Sequence, residues 1–276
     1  MTWNAMLALD YTRQAGKTVA HFRHSGPLRI LQSLYPEGES ICHNVIVHPP
    51  GGLVGGDTLD LAFSAGPDSH GLVTTPGATR FYRSDGKPAL QRTHLCLAAD
   101  ARMEWLPPET ILHSGCWAEN RLTMQLAPGA ELMGWDITAL GLPSARQPFV
   151  QGSFCQHIEA PGVWLERAHI AASDTLLLNS PLGLGGRRCM ATLFFVAGSP
   201  LARQRRQQAL DCARQVIDTN SLHATTGATS PNGQVVVVRV LTPLIEPATL
   251  LLRQIWRAWR GHFWELGSSL PRIWSM

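Results

Sequence analysis

Charge is scarce in this 276-residue sequence: Asp, Glu, Lys and Arg together make up 16%, and the net formal charge is only +3. So small an excess gives no electrostatic footprint for nucleic acid. A sparsely charged surface also does little to keep proteins apart, so the chain is expected to rest against partners. None of Cys42, Cys96, Cys116, Cys155, Cys189 and Cys212 forms a Cys-x-x-Cys pair, and their wide scatter argues against a zinc ribbon or a small disulfide scaffold. No apolar run approaches the roughly eighteen residues of a membrane span. The N-terminus, MTWNAMLALDYTRQAGK, lacks the basic start and apolar stretch of a signal peptide. The expectation is a cytoplasmic chain with reduced thiols. Absent too are an HExxH helix, a His-x-His pair and a His-rich tail, so no tight metal cage is expected. No Pro/Ser-rich linker divides the chain, and residues 1–276 are expected to form a single domain.

Glycine and proline are plentiful, at 25 and 19 residues, and favour many turns between short strands. NVIVH (residues 44–48) is a β-branched run that ends at Pro49-Pro50. TLDLAFS (58–64) alternates apolar Leu59, Leu61 and Phe63 with smaller or polar neighbours, as a half-buried strand does. LVTT, Pro76-Gly77 and ATRFYRS read as strand, turn and strand. A faint recurrence follows at about 30-residue spacing: SHGLVTTP, DARMEWLP and GAELMGWD each follow a turn and place Leu72, Met103 or Leu132 alike. These features predict a mainly-β fold of antiparallel layers, either a sandwich or an irregular β-solenoid. Two α-helices are expected near the C-terminus. One follows Ser199-Pro200, with the serine as cap, and the other spans residues 246–264 with an apolar stripe through Leu252, Ile255, Trp256, Trp259 and Phe263.

The loop HPPGGLVGGDT (48–58) nearly spells a phosphate loop, but Asp57 stands where lysine should be. A phosphate loop opens a helix, whereas TLDLAFS follows as a strand, and a carboxylate repels polyphosphate. A nucleotide site is therefore rejected. The loop then reads either as a turn capped by Asp57 or as a flexible connection that another surface approaches closely.

Taken together, YPEGESICHNVIVHPPGGLVGGDTL, LVTTPGATRFYRS, MEWLPPETIL, GWDITALGLPS and the C-terminal PRIW resemble the UreD (UreH) family of urease accessory proteins. The resemblance is ordered and runs from about Gly26 to Trp274, weakening between Thr175 and Val235. It implies a mostly β, non-enzymatic scaffold for nickel delivery. Such a scaffold binds a UreF homologue, through it the GTPase UreG, and apo-urease, and passes Ni(II) transiently through an internal tunnel. No tightly bound cofactor, no membrane and no nucleic acid are implied. A different class of protein, a β-rich carboxylate-dependent hydrolase or a lectin-like module, remains the alternative from the residues alone.

A transit path needs weak serial ligands rather than one cage. By position in the family's motifs, Asp136 and Glu166 are the leading candidates for the nickel path. Asp136 lies in the apolar stretch GWDITALGL, where a carboxylate needs a partner, with Arg80 or Arg83 the structural option. Glu166 in VWLERAHI shares a strand face with Trp164, Ala168 and Ile170. Glu37, Glu39, Asp57 and Glu109 complete the metal-path candidates, the first two as strand neighbours facing one way or as a solvated turn. Glu104 reads as a solvated strand residue, and His43 as a hydrogen-bonded strand residue. On the last helix, Arg253, Arg257 and Arg260 flank an apolar stripe that packs on the sheet, and they are the candidates for partner contact.

Overall fold

The computed structural model describes residues 2–267 and 269–275. The chain opens with β1 (Asn4–Gln14), β2 (Lys17–Ser25), β3 (Arg29–Ile30), β4 (Ile41–Val47), β5 (Thr58–Ala65) and β6 (His70–Thr74). It continues with β7 (Thr79–Phe81), β8 (Ala89–Leu97), β9 (Arg102–Trp105), β10 (Thr110–Leu112), β11 (Cys116–Leu126) and β12 (Glu131–Leu142). Next come β13 (Gln147–Pro148), β14 (Gly152–Ala160), β15 (Trp164–Ala171), the short helix α1 (Thr175–Asn179) and β16 (Cys189–Ala197). The chain ends with α2 (Arg203–Asp218), β17 (Thr226–Asn232), β18 (Val235–Thr242) and α3 (Ile245–Trp264).

The mainly-β reading holds, but the layers are not purely antiparallel. The first sheet runs β15-β14-β11-β8-β5-β1-β2, and its five inner strands are all parallel. In the second sheet β4, β6, β9 and β12 are parallel, while β16, β18 and β17 extend it antiparallel. Short strands β7 and β10 form a third side beside β12. The chain therefore coils as a solenoid, visiting each side in turn. Thr58 lies opposite Leu90, and Leu90 opposite Glu119, so successive coils take 32 residues (58 to 90) and then 29 (90 to 119). The faint recurrence is this coil. Met103 and Leu132 are register partners as aligned, whereas Leu72 pairs with Glu104, one residue out of step. LVTT and ATRFYRS do contain strands on either side of a bend at residues 75–78, but the two strands lie on different sides of the coil: β6 pairs with β4 and β9, and β7 with β10.

One corner of the coil shows why the repeat is faint. Asp68, Asp100 and Gly129 each turn the chain from the first sheet to the second, and all three are left-handed, with φ of 58°, 58° and 81°. Glycine adopts that conformation freely, and Asp tolerates it better than most residues.

Two cores result. The first fills the space between the sheets, from Leu7, Leu9 and Phe63 to Phe154 and Phe194. The second lies between the outer face of the second sheet and helices α2 and α3. The apolar stripe of α3 packs there as expected, with Leu252, Ile255, Trp256 and Trp259 wholly buried. Each such side chain contributes roughly 1.5–3 kcal/mol by leaving water. Helix α2 begins at Arg203 with Ala202 at its cap and no side-chain cap bond. Ser199 instead accepts the Gly129 N–H at 3.2 Å. The expected two helices become three with α1, which Asp174 caps by accepting the Leu177 N–H.

Candidate functional site

A row of neutral polar side chains interrupts the apolar core between the sheets. Gln91, Asn120 and Gln156 are register neighbours across β8, β11 and β14, on strands whose other inward residues are mostly apolar. From the opposite side, Thr79, Thr110 and Thr138 are neighbours across β7, β10 and β12. Asp136 lies two residues before Thr138, on the same face of its strand.

Asp136 accepts hydrogen bonds from Gln156 Nε2 at 2.5 Å, Thr138 Oγ1 at 2.9 Å and Asn120 Nδ2 at 3.1 Å. Among the described residues no guanidinium bonds to it, so neutral donors stand where Arg80 or Arg83 was the structural option. Burial pushes its carboxyl up to about 6, the bonds from Thr138 and Gln156 oppose the shift, and the charge of Glu166 adds to it. An interior carboxylate with no counter-cation is a high-energy arrangement, of the kind that marks functional positions.

Two adjoining cavities lead to this carboxylate. A space of about 20 Å³ touches Asp136, Asn120, Thr93 and Gln91. That is room for one water-sized species. It shares Thr79, Gln91, Trp105 and Pro107 with a larger, mainly apolar cavity of about 180 Å³, which His48, Gly51, Gly52 and residues 75–78 also line. Trp135 holds one shared wall by donating from Nε1 to the Pro107 carbonyl at 2.6 Å. Two polar atoms along this route, His48 Nε2 and Thr93 Oγ1, are buried without a protein partner. Unsatisfied buried polar atoms are costly, so the route is suited to a polar occupant.

Beyond Asp136 the second sheet continues in register to Thr192 on β16 and Arg239 on β18. Glu166 faces them from β15. Its Oε2 accepts from Arg239 Nη2 at 2.6 Å, and its Oε1 from Thr192 Oγ1 at 3.4 Å. Asp136 and Glu166, from opposite sheets, thus lie at one end of the same polar layer.

The glycine loop at the other end is closely approached. A Cβ added to Gly52 would stand 2.4 Å from the Tyr82 ring and 2.8 Å from the Arg80 carbonyl. The loop also joins β7 through Leu53, whose N–H donates to Arg80 O at 2.7 Å. Asp57 does not line the route. It is 3% exposed, and its two oxygens accept the N–H groups of Trp3 and Val54 at 2.8 and 2.9 Å, so it caps the turn.

The other acidic candidates are dispersed. Glu37 and Glu39 sit in a turn rather than a strand, and they diverge: Glu39 is exposed beside Lys17, whereas Glu37 turns inward. There Arg260, with no exposure, binds both Glu37 and Glu104, while His43 and His70 approach the two carboxylates at 3.0 Å. Burial would raise Glu37, but bonds from His43 and Arg260 bring it down to about 2. Arg260 therefore presents no charge to a partner in this fold, and Glu104 is fully buried rather than solvated. Glu109 lines a separate cleft of about 420 Å³ with Cys189 and Arg253. Arg253 stacks on Trp274 at 4.5 Å from the ring centroid, and Arg257 is half-buried near it. Among the described residues, no three His, Cys, Asp or Glu side chains converge as a metal cage.

A family model described as UreD urease accessory protein matches residues 4–275. The chain belongs to the UreD family. Curated proteins named urease accessory protein UreD are similar over its whole length. One from Polaromonas sp. is 78% identical and one from Polaromonas naphthalenivorans 77%, each with all of both chains covered. A more distant one, from Leptothrix cholodnii, is 51% identical with 99% of both covered.

In this UreD chain Asp136 and Glu166 are carboxylates set in apolar stretches of sequence, whereas the side chains around them carry weaker sequence signals. Asn120 and Gln156 are polar residues at apolar-phase positions of alternating strands, and Arg239 interrupts the run VVVVRVL. That interruption was a usable signal. The inward direction of Asn120 and Gln156 becomes evident only once the face of each strand is known. No helix among the described residues is long and apolar enough to cross a membrane.

Proposed function

We propose that the chain is a non-enzymatic scaffold and conduit in the nickel loading of urease. It binds a UreF homologue, recruits the GTPase UreG through it, and docks on apo-urease in the cytoplasm. Ni(II) moves along the interior polar layer, from the glycine-loop mouth past His48, Gln91 and Asn120 to Asp136 and Glu166. The observation that carries this reading is the Asp136 carboxylate, bonded only to neutral donors among the described residues, at the inner end of a route whose last space is bordered by Gln91, Asn120 and three threonines. Family membership supports the urease side of it.

The chemistry suits a passing ion. Nickel accepts carboxylate and imidazole ligands, and weak ligands in series bind strongly enough for entry and loosely enough for release. Glu37, Glu39, Asp57 and Glu109 lie away from this layer and have no part in the path. Arg253 and Arg257, partly exposed on α3, are kept as partner contacts. A carboxylate-dependent hydrolase is disfavoured, because about 20 Å³ beside Asp136 admits neither a glycoside nor an ester.

The test is co-expression of urease subunits and the other accessory proteins with and without this chain, measuring nickel per urease and urease activity. Loss of both without the chain supports the scaffold. Normal loading in its absence ends the proposal.

A further inference from the structure

The Glu166 end of the polar layer carries its own cation. Asp136, Thr192 and Arg239 are successive register partners on β12, β16 and β18, so one row of the second sheet leads from the interior carboxylate to a guanidinium. Arg239 contacts a single oxygen of Glu166, through Nη2 at 2.6 Å and Nε at 3.2 Å. Glu166 is its only acidic partner among the described residues. The Arg239 side chain is 49% exposed, whereas that of Glu166 is 19% exposed.

Arg260 shows the contrast. Its side chain is wholly buried and is held by Glu37, Glu104 and the Gly267 carbonyl together. That arrangement locks a guanidinium in place, whereas the one around Arg239 does not.

The edge beside Arg239 has room. Its register partner on β17 is Gly227, which offers no side chain, and a Cβ added there would meet nothing within 4 Å. An arginine can keep its stem against the sheet while its head moves into water. A guanidinium that is half in water and bonded to one carboxylate oxygen is held less firmly than one enclosed by several acceptors, and water can replace its contacts as it leaves.

From this geometry we infer that Arg239 is a displaceable plug: its guanidinium occupies the position on Glu166 that a divalent cation takes, and this end opens when Arg239 swings over Gly227 into solvent. The inference rests on the conduit reading. Glu166 is then an exchange site whose resident charge prevents retention of the metal, and Thr192 stays beside the carboxylate when the guanidinium leaves.

The experiment measures Ni(II) binding to the full-length chain by competition with a metallochromic indicator, with circular dichroism as the check on folding. Arg239→Gln should tighten binding by about tenfold, the scale of removing one adjacent like charge. Arg239→Lys should stay near wild type. The double variant Arg239→Gln/Glu166→Gln should lose the gain. Unchanged binding in Arg239→Gln, or a gain that survives in the double variant, overturns the plug. Gly227→Leu fills the free space and should slow Ni(II) uptake; unaltered uptake counts against the swing. The conduit reading fails separately, if Asp136→Ala leaves the nickel loading of urease intact.

Discussion

Arg260 Nε and Glu104 Oε2 lie 3.1 Å apart with neither side chain exposed, joining α3 to the inner strand β9 across most of the sequence. Trp256 Nε1 donates to the same Glu104 oxygen at 2.7 Å, and Glu37 takes the other side of the guanidinium. The helix is thus fixed to the solenoid by charge as well as by its tryptophans.

Removing the cation leaves two buried carboxylates facing each other. Arg260→Met should destabilise the chain by about 3–5 kcal/mol, because an unpaired buried charge costs more than the intact pair contributes. Urea unfolding measures it. A change below about 1 kcal/mol would show that the cluster is not closed to water.

Asp136 should behave in the opposite sense. Its folded pKa, about 6, lies above the unfolded value of 3.8, so the folded state takes up a proton between the two. The stability this group contributes is full below pH 3.8 and is lost as pH rises through 6. Asp136→Asn should therefore stabilise the protein at pH 7.5, by up to about 3 kcal/mol, with the difference disappearing near pH 4. Thermal unfolding at the two pH values tests it. A destabilised variant at pH 7.5 would mean that a charge partner holds the native carboxylate.

Asp57 separates the loop's structure from transit. Asp57→Ala leaves the Trp3 and Val54 N–H groups without their acceptor and should cost about 1–3 kcal/mol. Nickel delivered per folded chain should not change. A specific loss of delivery with stability intact would return Asp57 to the path.

The mainly-β character and both long helices were legible because alternation and helical spacing are local signals. The direction of strand pairing was not, since period two reads the same in a parallel coil and in a hairpin. The coil's repeat was faint because Asp68, Asp100 and Gly129 make the same left-handed corner with different residues. Glu104 was misread for a related reason: alternation separates the two faces of β9 but does not reveal that helices cover the outer one. Asp136 and Glu166 stood out as carboxylates in apolar surroundings within family motifs. Gln91, Asn120 and Gln156 did not, because only the stacked register brings them into one row.

The most direct measurement is nickel bound per urease after co-expression with this chain carrying Asp136→Ala, alongside pull-down of the accessory assembly. The conduit account predicts an assembly that forms as in the wild type and a urease that holds at most about a tenth of its nickel. Wild-type nickel content in an intact assembly would contradict it.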